Sequence, residues 1–240
     1  GTTNTGAVDP LPALADIADA EALWLHVDGA YGAPAVVCER GRERLRGLNR
    51  ADSLTMDPHK WLFQPFEIGG VLVRDPQHLR RAFRLEAEYL EDAVGADDEV
   101  NFSARGIQLT RSFRALKLWM TLKVFGRKHV AAAVRRGFER AEQAERLLRT
   151  RPGWTVVTPA QMGIITFRCE PDGWSDDRVD ALTRRLASAI NEEGDRFLTK
   201  TALHGRPVLR LCPIHPRTTA DDMQETIDRL DALRRTKAGP

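Results

Sequence analysis

Apolar positions recur along this chain in two rhythms. Residues 12–22, PALADIADAEA, space them as a short surface helix does, with acids near its start. Residues 23–28, LWLHVD, form a continuous apolar run ending in an acid, which predicts a buried strand. A loop rich in Gly and Ala follows, DGAYGAPA. Two further short strands are predicted over 51–57 (ADSLTMD, stopped by Pro58) and 69–75 (GGVLVRD). Strands alternating with helical stretches predict an α/β layer around a mostly parallel sheet.

The second part of the chain changes rhythm. Residues 108–128 and 131–150 read as two long amphipathic helices. Strand-like segments GWTVVTP and GIITFRC come next, then a helix over 176–192. RFLTKTAL and PVLRLCP follow, and a helix over 219–235 closes the chain. This predicts a smaller α+β domain with an antiparallel sheet, with the division inside the 108–128 helix: residues 1–117 against 118–240. Between the two parts, residues 86–102 (EAEYLEDAVGADDEVNF) are acidic and aperiodic. A loop of that length within a compact domain is usually functional.

Composition narrows the classes. The 240 residues are 42% hydrophobic and 29% charged, with 36 basic against 34 acidic side chains. A net charge of +2 supplies no electrostatic footprint for nucleic acid or a membrane surface. The arginines of RRGFERAEQAERLLR alternate with Glu as on a solvated helix face. No apolar run approaches the length of a membrane span, and no secretory leader is expected. Cys38, Cys169 and Cys212 are few, odd in number and far apart, which suits a reducing cytoplasm better than a disulfide framework.

Two residues stand out chemically. Asp28 ends a strand, where α/β sheets bind ligands, and the small residues behind it let a flat group approach the backbone. Taken alone, it reads equally as a turn-capping Asp. Lys60, in TMDPHKW, precedes Trp61, Leu62 and Phe63 and is expected to be desolvated against them, which would make its amine a nucleophile toward carbonyls. Taken alone, it reads as a snorkelling lysine. The pair matches the needs of pyridoxal phosphate: an amine for the aldehyde and a carboxylate for the pyridine nitrogen. His26 with Asp28, and Cys212 with His215, are incomplete as ligand sets, so no metal is expected. His78, His129 and His204 read as surface or capping residues. GAYG is too short for a dinucleotide fingerprint.

GTTNTGAVDPL, WLHVDGAYG and DSLTMDPHKW together resemble the group II pyridoxal-phosphate-dependent amino-acid decarboxylases, in particular the aromatic-L-amino-acid branch. The resemblance runs essentially from Gly1 to the closing helix. It implies the aspartate-aminotransferase-like fold (fold type I), here the C-terminal half of the large cofactor domain plus the small C-terminal domain. It also implies roles. Lys60, 32 residues after Asp28, would carry the cofactor as a Schiff base, and Asp28 would meet the pyridinium nitrogen. Ala30 would pack on one ring face, Thr3 would lie near the ring oxygen, and His59 near the phosphate and the active-site loop. Tyr89, 29 residues after Lys60, matches a mobile-loop tyrosine that returns a proton to the α-carbon. Arg210 and Thr110 fall in substrate regions. Thr110 replaces a glycine of some relatives, and Asp57 stands where some have asparagine, so Asp57 receives no phosphate contact.

The implied reaction is decarboxylation of an aromatic L-amino acid to its amine through an aldimine and a quinonoid. Aldehyde formation, another fold-type-I lyase reaction and a noncatalytic remnant remain as alternatives. Family chains are roughly twice this length and work as dimers. The resemblance therefore leads us to expect a partner N-terminal half, with the chain a split or proteolysed subunit, a segment of a longer chain or a remnant.

Overall fold

The computed structural model describes residues 1–83 and 100–237. Helix α1, Leu11–Ala20, takes Pro12 into its first turn, where no N–H is missed, and buries Leu11, Ala15 and Ala18 along one stripe. Strand β1 is shorter than expected, His26–Asp28. Leu23 and Trp24 stand exposed rather than buried, and the Trp24 indole donates to Ser53 Oγ at 2.9 Å.

After α2 (Glu39–Arg44), β2 (Ser53–Met56) lies parallel to β1, with Val27 opposite Leu54 and Asp28 opposite Thr55. Strand β3 (Gly70–Val73) returns antiparallel to β2. The sheet is therefore mixed rather than mostly parallel. The connection from Asp57 to Gly69 holds turns and no helix, and so lacks the crossover that a parallel return requires. Helix α3 spans Pro76–Phe83.

Helix α4 runs Ala115–Arg149 and corrects the expectation of a helix from 108. Gly106, Thr110 and Ser112 are weak helix formers, and Arg114 ties the stretch to Glu67 at 2.7 Å. The two expected helices are one span interrupted at Gly126, whose φ of 75° and ψ of 155° break the helical path. Beyond that glycine the helix buries Val130, Ala133, Val134, Gly137, Phe138, Ala141, Ala144 and Leu148, a stripe at three- and four-residue spacing.

Strands β4 (Trp154–Gln161), β5 (Ile164–Cys169), β6 (Thr199–Leu203) and β7 (Arg206–Leu211) form a second sheet in the order β4-β5-β7-β6, antiparallel throughout. Helices α5 (Asp176–Glu192) and α6 (Ala220–Lys237) pack with it. Thr219 and Asp222 start α6 with a reciprocal capping box: Asp222 N–H donates to Thr219 Oγ1 and Thr219 N–H to Asp222 Oδ2.

Two hydrophobic clusters result. One holds Phe167, Leu186, Ile190, Leu209, Ile227 and Leu230 between the second sheet and its helices. The other holds Leu11, Trp61, Leu62, Val134, Phe138 and Met162 beneath the first sheet. Helix α4 contributes to both, Val134 and Phe138 to one and Ala144 and Leu148 to the other.

Candidate active site

The parallel pairing of β1 and β2 brings Asp28 to Thr55 at the carboxyl ends of both strands. Asp28 Oδ1 accepts from the Ala30 N–H at 3.0 Å and the Thr55 hydroxyl at 3.2 Å. The Ala30 N–H, aided by Thr55 and by the charges of Lys60 and His26, lowers the Asp28 carboxyl pKa against a small desolvation penalty, so the side chain is anionic at neutral pH. The turn-capping reading of Asp28 is realised: it caps its own turn through one oxygen. Among the described residues its other oxygen has no hydrogen-bond donor.

The chain leaves β2 beside this turn, with Asp57 N–H donating to Ala30 O at 3.0 Å. Pro58 stops the strand and the backbone turns, with Lys60 N–H donating to Asp57 O at 2.9 Å. That turn separates the side chains. Trp61 and Leu62 enter the core, while the Lys60 side chain is 42% exposed and pairs with Asp57 Oδ2 at 2.8 Å. The expectation of an amine desolvated against Trp61, Leu62 and Phe63 is therefore corrected. Its neighbours in sequence face the other way, and a carboxylate meets it instead.

His59 Nδ1 lies 2.6 Å from Ile68 O, its ring edge meets Phe66 at 5.2 Å, and Nε2 stands 3.9 Å from Asp57 Oδ2. Asp28, Ala30, His59 and Lys60 thus share one end of the first sheet. Thr3 and Arg210 meet each other: Arg210 Nε donates to Thr3 O at 2.7 Å and Nη1 lies 3.5 Å from Thr199 Oγ1. Gly6 fastens the same N-terminal turn. Its φ is +75°, and a Cβ there would fall 2.3 Å from Gln161 O. Thr110 is exposed and, among the described residues, makes no hydrogen bond to any of these groups. Tyr89 lies outside the described residues.

Sequence reasoning missed two contributors. Thr55 could be found only from the strand register. Asp57 was visible in DPHK, yet its ion pair with Lys60 depends on the turn after Pro58. Elsewhere, His26 Nδ1 lies 2.7 Å from Ser53 Oγ, and Cys212 Sγ lies 3.5 Å from the Tyr31 hydroxyl. The described residues hold no group of three or more His, Cys, Asp or Glu able to bind a metal. No helix among them is long and apolar enough to cross a membrane.

The family profile described as "Pyridoxal-dependent decarboxylase conserved domain" matches residues 1–170. Aromatic-L-amino-acid decarboxylase of Bacillus atrophaeus is 47% identical over 97% of this chain and 49% of its own length. Phenylacetaldehyde synthase of Arabidopsis thaliana is 34% identical over 94% of this chain and 46% of its own. The crystal structure of Catharanthus roseus tryptophan decarboxylase in complex with L-tryptophan superposes with a TM-score of 0.86 at 31% identity, over 97% of this chain and 48% of that one. The chain spans about half the length of the curated relatives it matches.

Proposed function

Since the chain belongs to the pyridoxal-dependent decarboxylase family, whose cofactor is pyridoxal 5'-phosphate, we propose that it supplies the lysine-bearing half of an enzyme that decarboxylates an aromatic L-amino acid to its amine and CO2. One observation carries this reading: an anionic Asp28 and a solvent-accessible Lys60 amine at adjacent strand ends. The donor set suits the cofactor. Lys60 Nζ is a primary amine for its aldehyde, and Asp28 keeps one oxygen for a protonated ring nitrogen. Ala30, beside Asp28, would offer nothing bulkier than a methyl group to one ring face.

When bound, the cofactor supplies an electron-withdrawing cationic ring for the electron pair left by departing CO2. The chain's own residues do the rest. Asp28 would hold the ring-nitrogen proton with a carboxylate already oriented by Ala30 and Thr55, so little reorganisation would oppose its action. Asp57, already paired with Lys60 Nζ at 2.8 Å, would give that amine a resting partner whenever it is free of the cofactor. We assign His59 to the phosphate end, Thr3 to the ring oxygen, Tyr89 to proton return at the α-carbon, and Arg210 and Thr110 to the substrate side. Arg210 would act there while tethering the Thr3 carbonyl.

We further propose that activity needs the half of the relatives' length that this chain does not span, in units that pair as dimers. In support, Lys60 is open to solvent, and Ile107, Phe113, Trp119, Val124 and Phe125 expose a run of large apolar side chains suited to a covering surface. A second reading, aldehyde synthesis, draws on the likeness to phenylacetaldehyde synthase.

The test is borohydride reduction of the assembled enzyme, peptide mass spectrometry and product analysis. A pyridoxyl group on Lys60, with amine and CO2 as products, is expected. Aldehyde with hydrogen peroxide selects the second reading. A Lys60 peptide free of pyridoxyl overturns both.

A further inference from the structure

Each loop that presents a functional side chain places an aromatic residue just behind it: Tyr31 after Gly29-Ala30, and Trp61 after Lys60. The two rings stack with centroids 5.0 Å apart and planes 10° apart. Trp61 is fully buried and meets Phe138 of α4 at 5.1 Å. Its indole has no slack, because a Cβ on Gly137 would lie 3.1 Å from Nε1 and one on Gly163 3.1 Å from Cζ2. The other end of the stack is anchored beyond the first sheet. The Tyr31 hydroxyl donates to Met162 O at 2.7 Å, in the β4–β5 turn, and lies 3.5 Å from Cys212 Sγ at the end of β7. Burial, with Cys212 beside it, pushes the phenol well above its ordinary range, so the hydroxyl keeps its proton.

We infer that Tyr31 and Trp61 are positioning residues: their stack, latched to the Met162 carbonyl, sets the separation of the Asp28 carboxylate from the Lys60 amine. Neither touches a reacting atom. The stack stands between two loops that are also joined by the backbone bond from Asp57 N–H to Ala30 O. Offset aromatic pairs favour a narrow range of geometries, and a buried hydroxyl fixes the azimuth of its ring, so together they transmit the place of one loop to the other. The inference rests on the reading that Asp28 and Lys60 serve one cofactor; the stack itself does not.

The test uses the assembled enzyme carrying the wild-type chain or its Tyr31→Phe or Tyr31→Leu variant, with two readouts. The first is hydrogen exchange at the Asp57 amide, referenced to the Val208 and Leu209 amides of the second sheet. The second is the yield of borohydride-fixed pyridoxyl on Lys60 relative to exposed Lys200 after incubation with pyridoxal phosphate. Tyr31→Phe keeps the stack and loses the latch, so Asp57 exchange should rise about fivefold while most of the Lys60 preference survives. Tyr31→Leu should raise exchange at least about tenfold and remove that preference, with the second-sheet amides unchanged. A folded Tyr31→Leu chain with wild-type Asp57 exchange and wild-type preference overturns the inference. Should Tyr31→Leu lose second-sheet protection as well, Tyr31→Phe decides, and unchanged Asp57 exchange there overturns it. A wild-type chain with no preference for Lys60 counts against the cofactor reading instead, and the exchange measurement still decides this one.

Discussion

The two sheets solve different problems with similar residues. Strand β5 of the second sheet, IITFRC, is buried at every position but Arg168, packed against α4 and α5. Strand β3 of the first sheet, GVLV, is no less apolar, yet Val71 and Leu72 stand exposed and Val73 is only half-buried. The first sheet also carries Asp28 and Lys60. A fully enclosed strand pair would have to bury both charges at heavy cost, whereas an open strand end leaves them free to meet a ligand. Burial is concentrated in one region, and the candidate site lies where the packing is thin.

That contrast can be broken most sharply at Lys60. In the assembled enzyme, Lys60→Ala should remove the pyridoxyl adduct and lower turnover by at least about a thousandfold, while thermal melting of the chain changes little. Asp28→Asn should cost about a hundredfold or more in kcat with the adduct retained, read by steady-state kinetics. The second sheet should behave in the opposite way. Leu186→Ala, in a fully buried stripe, should lose about 2–5 kcal/mol in denaturant unfolding, and any surviving folded protein should label at Lys60 as before. Trp119→Ser tests the exposed apolar run. It should shift the chain's own stability by no more than about 0.5 kcal/mol, yet weaken association with the complementary half in a sedimentation or titration measurement.

The smallest effect concerns acidity. Because the folded Asp28 pKa is depressed, its contacts add stability above the ordinary carboxylate range, near about pH 4, and that contribution disappears as the pH falls through the depressed value. An NMR titration of Asp28 should find its midpoint below that of an unstructured aspartate. Thr55→Val should raise the midpoint toward it, since the hydroxyl stabilises only the charged form.

What sequence could reveal followed what each signal depends on. Helix α5 was legible to the residue because its stripe and its start signal, Ser175 followed by Asp176 and Asp177, are local. Asp28 and Lys60 drew notice because their neighbours form distinctive motifs. The exposure of Lys60 was not legible, since apolar neighbours in sequence imply apolar neighbours in space only while the backbone continues straight. The turn after Pro58 sends Trp61 inward and the amine outward. The mixed first sheet was equally hidden: β3 reads the same whichever way it pairs, and direction is set by the connection. The Thr3–Arg210 bond joins residues 207 apart, a distance at which no local pattern speaks.

Gly126 leaves a last consequence. Nothing lies within 4 Å of where its side chain would be, so space does not require glycine there; the torsion angles do. One residue thereby steers the bearing of the segment carrying Trp119, Val124 and Phe125, as a rudder sets a heading without touching the hull. Replacing it with alanine would re-aim that greasy flank, and because Arg114 and Lys117 on the same segment hold Glu67 and the Pro65 carbonyl, a fault of docking would pull on the loop that follows position 60.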